Sequence, residues 1–298
     1  MLVGIIGDER DIHVYTLKNR LESLHCTVDV IYFPYADMMC TNDHMMVNGR
    51  DILDFDAFYV RAIPFFLQSQ ASHRMKKDVW NQLYTQYMDI ATINNERIAV
   101  YTSLMNVMND VCLVINPFPA LFFQHLKPFQ FYLLAKHGIP IPPYLATNDV
   151  ATIETIDDAI YKPLTSNLHV EKKTVVELKK IMKERPVILQ QHAKGKTIRA
   201  SLLSDGLVGA AEIKHKAIDS RVGHCSYKEI TLPAFVEEIL LKCLQVLTMK
   251  YSEIDFIMNG DDIQILDVNP SAGFMMLEED ANIPTSLKIA EYIVRQIR

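Results

Sequence analysis

The 298-residue chain is 49% hydrophobic and 22% charged, which supports a sizeable buried core and excludes long disorder. Its net charge of −6 offers nothing to nucleic acid or an anionic membrane, and no apolar run reaches the ~20 residues of a membrane span. Five scattered cysteines (Cys26, Cys40, Cys112, Cys225, Cys243) with no Cys-x-x-Cys argue against zinc and a disulfide framework. Met1-Leu2-Val3-Gly4 lacks the basic-then-apolar order of a signal peptide, so a cytoplasmic protein is expected.

In chain order, Leu2 to Ile6 reads as a buried strand, His13 to Leu24 as a helix, and Thr27 to Phe33 and Asp56 to Arg61 as further strands. This βαβ opening favours a parallel sheet. Ser72 to Ile93 has the spacing of a long helix, and Val100-Tyr101 and Val114-Ile115 read as strand ends. The Met pairs at 38–39 and 45–46 fit either a flexible surface or core filler. Asn116-Pro117-Phe118-Pro119 is a break and a candidate domain boundary. A helix about Phe129 to Lys136 ends at Gly138, followed by the stiff Ile139-Pro140-Ile141-Pro142-Pro143. Ala159 to Leu164 is a strand carrying Lys162, Val175 to Met182 a helix, and Val187 to Gln191 a strand. Ile198 to Leu203 and Leu207 to Ile213 form a hairpin. The basic run from Glu212 to Lys228 reads as a solvated loop unless it handles an anion, and Pro233–Leu247 and Ile283–Arg298 are helices.

The densest chemistry lies in two short strands, Asp255 to Met258 and Ile263 to Asn269, around the turn Asn259-Gly260-Asp261-Asp262. Side chains alternate along a strand, so Asp267 and Asn269 share a face. Pairing can bring Asp255 onto it, and three hard oxygen donors suit Mg²⁺, with Mn²⁺ as the alternative. A solvent-exposed polar strand end is the competing reading. Lys127 and Lys162 sit at element ends, where a lysine can reach phosphate oxygens as a point charge. Gln190-Gln191-His192-Ala193 closes a strand in an extended hinge whose backbone can read an adenine edge, and Arg199 lies on the next strand.

The ordered set resembles the ATP-grasp carboxylate–amine ligases, in the branch of the ribosomal-protein glutamate ligases and the graspetide (microviridin-type) peptide ligases. The residues carrying the resemblance span roughly 116–290: Asn116-Pro117, Lys127-Pro128-Phe129-Gln130, Gly138-Ile139-Pro140-Ile141-Pro142, Thr147-Asn148-Asp149, Tyr161-Lys162-Pro163, the Gln190–Ala193 hinge, Lys196-Thr197-Ile198-Arg199, Asp219-Ser220-Arg221, Asp255, Asp267-x-Asn269-Pro270 and Leu277-Glu278. Thr197 stands where an acid is usual and Ser220 where the macrocyclases have Trp, and Leu164 to Leu168 lacks a glycine-rich lid. Residues 1–115 match only as a βαβ-type domain.

The resemblance implies an α/β (α+β) ATP-grasp fold: an N-terminal Rossmann-like pre-ATP-grasp domain over 1–116, a lid subdomain over 117–192 and a catalytic subdomain over 193–298. It implies ATP held by Lys127, Lys162 and Gln190, Gln191, His192 and Ala193. Mg²⁺ would be held by Asp255, Asp267 and Asn269, and acyl transfer assisted by Arg199 and Arg221. The implied substrate carries a carboxylate and an amine or hydroxyl nucleophile, with no nucleic-acid or membrane partner and a homo-oligomer left open. A kinase-like phosphotransferase and a non-catalytic nucleotide-binding module are the rival readings.

Overall fold

The computed structural model describes residues 1–61, 77–164, 170–215, 223 and 225–298, with 77–91 and 154 described by backbone alone. The chain divides into two compact units, Met1–Val114 with Ile293–Arg298, and Ile115–Tyr292.

The first unit opens with β1 (Leu2–Ile6), α1 (Ile12–Ser23) and β2 (Thr27–Ile31). Asp11 caps α1 by accepting from the His13 amide, and Val14, Leu17 and Leu21 bury one helical face. A small antiparallel sheet follows, of β3 (Met38–Cys40), β4 (Met45–Val47) and β5 (Arg50–Asp51). The Met pairs therefore lie on paired strands, with Met39 exposed and Met38, Met45 and Met46 half-buried. β6 (Ala57–Val60) is buried throughout and runs parallel to β1. Helix α2 (Lys77–Val111) leads to β7 (Leu113–Ile115), and the sheet order is β2-β1-β6-β7.

Helix α2 corrects the strand expected at Val100-Tyr101. Tyr101, Leu104, Met105 and Met108 are buried at helical spacing. Tyr101 also stacks on Phe33 at 4.7 Å and donates its hydroxyl to the Phe33 carbonyl at 2.6 Å. The β-branched and aromatic dipeptide was outweighed by a period of 3.6 that continues through it. Residues 72–76 of the expected helix lie outside the described residues.

The second unit begins with α3 (Phe118–Leu121) and α4 (Lys127–Lys136). Pro128 suits the first turn of α4, where its missing N–H costs nothing. Gly138, at φ +70°, ends that helix in the left-handed conformation that disfavours a side chain. A three-stranded antiparallel sheet, ordered β8-β10-β9, comprises β8 (Tyr144–Thr147), β9 (Ala159–Lys162) and β10 (Val187–Gln191). Helix α5 (Val175–Met182), started by a Thr174–Glu177 capping box, covers one face of it through Leu178 and Met182 against Tyr161, Val187 and Leu189.

The larger sheet contains β11 (Lys196–Leu203), β12 (Gly206–Lys214), β13 (Ser226–Ile230), β14 (Tyr251–Asn259) and β15 (Asp262–Asn269), ordered β13-β12-β11-β14-β15. Strand β13 replaces the end of the expected loop. It is a charged edge strand with Lys228 and Glu229 exposed, so it carries no apolar alternation to announce it. One face of the sheet, through Ile198, Ala200, Leu202, Ile254, Phe256 and Val268, buries α6 (Ala234–Val246) by Val236, Leu240, Cys243 and Leu244. The chain closes with α7 (Met275–Ala281) and α8 (Thr285–Gln296).

Candidate active site

Strand register builds the site. On the face of the large sheet away from α6, Ser201, Glu253 and Asn269 form one cross-strand row. Arg199, Asp255 and Asp267 form the next, and Thr197, Ile257 and Gln264 the third. The Asp255–Asp267 pairing brings the two carboxylates of the expected metal set side by side, with Asn269 two residues along. The register shifts between Asp255 and Phe256, leaving Leu266 as an extra residue in β15. Such bulges re-aim backbone groups beside active sites, and here the Leu266 carbonyl accepts the Lys162 ammonium.

The lysines are held from different elements. Lys127, at the start of α4, donates to both oxygens of Asp267 at 2.6 Å and is almost fully buried. Lys162, at the end of β9, is also buried and lies 5.0 Å from the Phe131 ring centroid. Burial by itself raises the Asp267 carboxyl, but Lys127 and Lys162, with help from Arg199, pull it down from 3.8 to about 2. Asp267 is therefore an ionised donor at neutral pH. Arg199 grips Asp255 bidentately at 2.7 and 2.9 Å. Burial opposes the Arg199 charge, yet Asp255 and then Glu253 hold its pKa well above the ordinary value.

The hinge is more committed than the sequence suggests. The Gln191 amide donates to the Pro143 carbonyl at 2.8 Å and the His192 amide to Asp158 at 3.1 Å, so two hinge donors are engaged within the chain. Gln190 is buried, and its side-chain Nε2 has no hydrogen-bond partner. Register puts Gln190 and Lys162 on the same face of the small sheet, opposite the one covered by α5. A cavity of about 280 Å³ is bounded by Asp158, the hinge from Gln191 to Lys194, and Ile257, Asn259, Asp262 and Gln264. Ile257 and Gln264 belong to the same sheet face as Asp255 and Asp267. Asp158 binds Lys172 at 2.6 Å and Lys194 at 3.2 Å, and these lysines lower its pKa to about 2. Gly195 leaves the hinge where a Cβ would stand 2.6 Å from the Met258 carbonyl oxygen.

The donor set fits a hard divalent cation: two carboxylates and an amide oxygen on adjacent strands, beside cations able to meet phosphate. The buried Gln190 Nε2, without a hydrogen-bond partner and on the same sheet face as Lys162, fits a polar ligand such as a nucleotide. The structure thus brings together Lys127, Lys162, Arg199, Asp255, Asp267 and Asn269, with the hinge bordering the cavity. Arg221, Asp219 and Ser220, Lys216, and residues 165–168 of the lid segment lie outside the described residues.

Three buried polar residues have structural parts that their side chains alone did not announce. Asn116 donates to the Tyr251 and Pro270 carbonyls at 2.7 and 2.6 Å and accepts from the Lys250 and Tyr251 amides at 2.6 and 2.9 Å. Gln130 bonds both the amide and the carbonyl of Val268, between Asp267 and Asn269. Glu253 is fully buried, with Oε2 3.6 Å from Arg199 Nη1. Its signal was present, since Glu253-x-Asp255 has the same spacing as Asp267-x-Asn269.

No curated protein matches the sequence. Among solved structures, the ATP-grasp ligase PsnB, complexed with a phosphomimetic variant of a minimal precursor, Mg and ADP, superposes with a TM-score of 0.85. It is 21% identical, over 99% of this chain and 98% of that one. The macrocyclase MdnC bound to its precursor peptide MdnA, from Microcystis aeruginosa MRC, gives 0.76 at 16% identity over 99% of both chains. An ATP-grasp RimK domain protein from Sphaerobacter thermophilus DSM 20745 gives 0.61 at 13% identity, over 99% of this chain and 100% of that one. These likenesses establish the fold. The model of the RimK-like ATP-grasp domain matches residues 127–293, more than half of the chain and all six residues brought together above, and the protein belongs to that family.

Proposed function

We propose that the protein is an ATP- and Mg²⁺-dependent ligase that joins a peptide carboxylate to an amine through an acyl phosphate, releasing ADP and phosphate. The observation that carries this reading is the single face on which Lys127, Lys162 and Arg199 meet Asp255, Asp267 and Asn269. A carboxylate resists nucleophilic attack because its leaving group would be oxide. Transfer of phosphate from ATP converts that oxygen into a good leaving group. The reaction brings several anions together, so cations must be preorganised around them. Lys127 and Lys162 bind phosphate oxygens, and the hinge with Gln190 orients the base. Asp255, Asp267 and Asn269 hold the metal, which supplies charge neutralisation at the transferred phosphate. Arg199 stabilises the negative charge on the acyl phosphate and on the tetrahedral adduct, and Arg221 is proposed to assist it.

A peptide substrate is favoured because the PsnB and MdnC structures, both bound to precursors, match this chain along its whole length with higher TM-scores than the RimK domain protein. The trapping test uses ATP, Mg²⁺ and a panel of acidic peptides in the presence of hydroxylamine. An acyl phosphate is captured as a hydroxamate on the peptide, and Asn269→Ala should abolish its formation. A phosphorylated hydroxyl with no hydroxamate supports the kinase-like alternative instead.

A further inference from the structure

Glu253 is a fully buried carboxylate on the floor of the site, and the reaction proposed above gives it no part. Its row places it directly opposite Ser201 on one side and Asn269 on the other, one row from Asp255. The Arg199 guanidinium divides its nitrogens between two acids. Nε and Nη2 bond Asp255 at 2.7 and 2.9 Å, while Nη1 lies 3.6 Å from Glu253 Oε2, an ion pair beyond hydrogen-bond length. The two acids differ in access. Asp255 is one-fifth exposed, whereas the Glu253 side chain has no exposed surface.

If Asp255 ligates a divalent cation, its hold on Arg199 weakens and a second positive charge arrives beside the guanidinium. An arginine with four-fifths of its side chain buried and no counter-charge is costly. Glu253 can supply that charge, because a shift of about 1 Å would bring Nη1 into hydrogen-bond range of Oε2. Ser201 is also fully buried and its hydroxyl has no hydrogen-bond partner, so a donor stands opposite the same carboxylate. We infer that Glu253 is a positioning residue that takes over Arg199 when a divalent cation occupies Asp255, and so makes metal binding and Arg199 retention compatible. This rests on Asp255 being a metal ligand, as proposed above.

The test is calorimetric titration of ADP into the full chain in Mg²⁺ and in EDTA. The ratio of the two dissociation constants measures the coupling of metal to nucleotide. The wild type should bind ADP more tightly in Mg²⁺. Glu253→Gln should bind ADP normally in EDTA and lose about tenfold of the coupling, since Arg199 then has only Asp255 to hold. Glu253→Asp keeps the charge but withdraws it from Arg199, and should lose about threefold. In an Arg199→Met background, adding Glu253→Gln should leave the coupling unchanged within twofold.

If wild-type coupling is present and both Glu253 variants retain it, the inference is overturned while the metal site stands. An equal loss in the Arg199→Met background would overturn it too, because Glu253 would then act on the metal directly. Absence of coupling in the wild type would overturn the metal site itself, and the inference with it. Should Glu253→Gln not fold, the Glu253→Asp comparison decides the question alone.

Discussion

At the residue scale, the site is a set of charges that compensate one another. Asp267 has a carboxyl near 2 instead of 3.8, so it binds its proton more weakly folded than unfolded. Its stabilising contribution is therefore complete above about pH 4 and lost as pH falls through 2. The difference corresponds to roughly 2 kcal/mol. Denaturant unfolding between pH 4 and 2 should show that loss in the wild type and much less of it in Lys127→Ala, where the principal partner is gone. The same pairing means that Asp267→Ala strands a buried lysine and costs stability as well as turnover. Asn269→Ala is the cleaner probe of the metal set: it should abolish ATP turnover with the thermal transition nearly unmoved, and full activity in that variant would remove Asn269 from the ligands. For Arg199→Ala, removal of a charge that acts on developing negative charge should lower kcat by about 10²–10³-fold. ADP affinity should stay within a few-fold, because the lost interaction belongs to the transition state. If the ATP Michaelis constant alone rises, Arg199 is a nucleotide ligand.

At the scale of elements, side-chain clamps set the geometry of the strands that carry the acids. Asn116 makes four buried hydrogen bonds to backbone groups at the start of β14 and just beyond the end of β15. Asn116→Ala leaves several of these groups unsatisfied and should cost about 3 kcal/mol or more in equilibrium unfolding. A loss under 1 kcal/mol would show that the clamp is dispensable. Gly195→Ala should disturb the hinge, since the added Cβ meets the Met258 carbonyl, and weaken ADP binding measured by calorimetry. These elements also show what was readable in advance. The hairpin of β14 and β15 was legible because polar residues alternate with Ile and Val around Asn-Gly. Strand β13 was not, because a short edge strand exposing Ser226, Lys228 and Glu229 has the composition of a loop. Helix α2 was only partly legible, because the local β preference of Val100-Tyr101 competes with the helical period that runs through it, and burial of Tyr101 against Phe33 goes with the helix. The bulge at Leu266 was invisible, since it arises from pairing between strands and not from either strand's own pattern.

At the scale of the whole molecule, the second unit announced itself through charged and amide residues at fixed order along the chain, from Lys127 to Asn269. The first unit offered a βαβ pattern and little chemistry, so its architecture was legible but its contribution to substrate was not. Glu253 escaped notice because, despite its Glu253-x-Asp255 spacing, a Glu in a strand reads as a surface residue until burial is known. The central claim is that phosphate is transferred to a substrate carboxylate, which then yields its oxygen as it is attacked. The most direct measurement follows a heavy-oxygen label placed in the carboxylates of acidic peptides carrying a lysine, incubated with enzyme, ATP and Mg²⁺. Mass spectrometry should find one labelled oxygen in the released phosphate for each molecule of water lost from the peptide. Unlabelled phosphate, or label retained in full by a peptide that has gained a phosphoryl group, would contradict it.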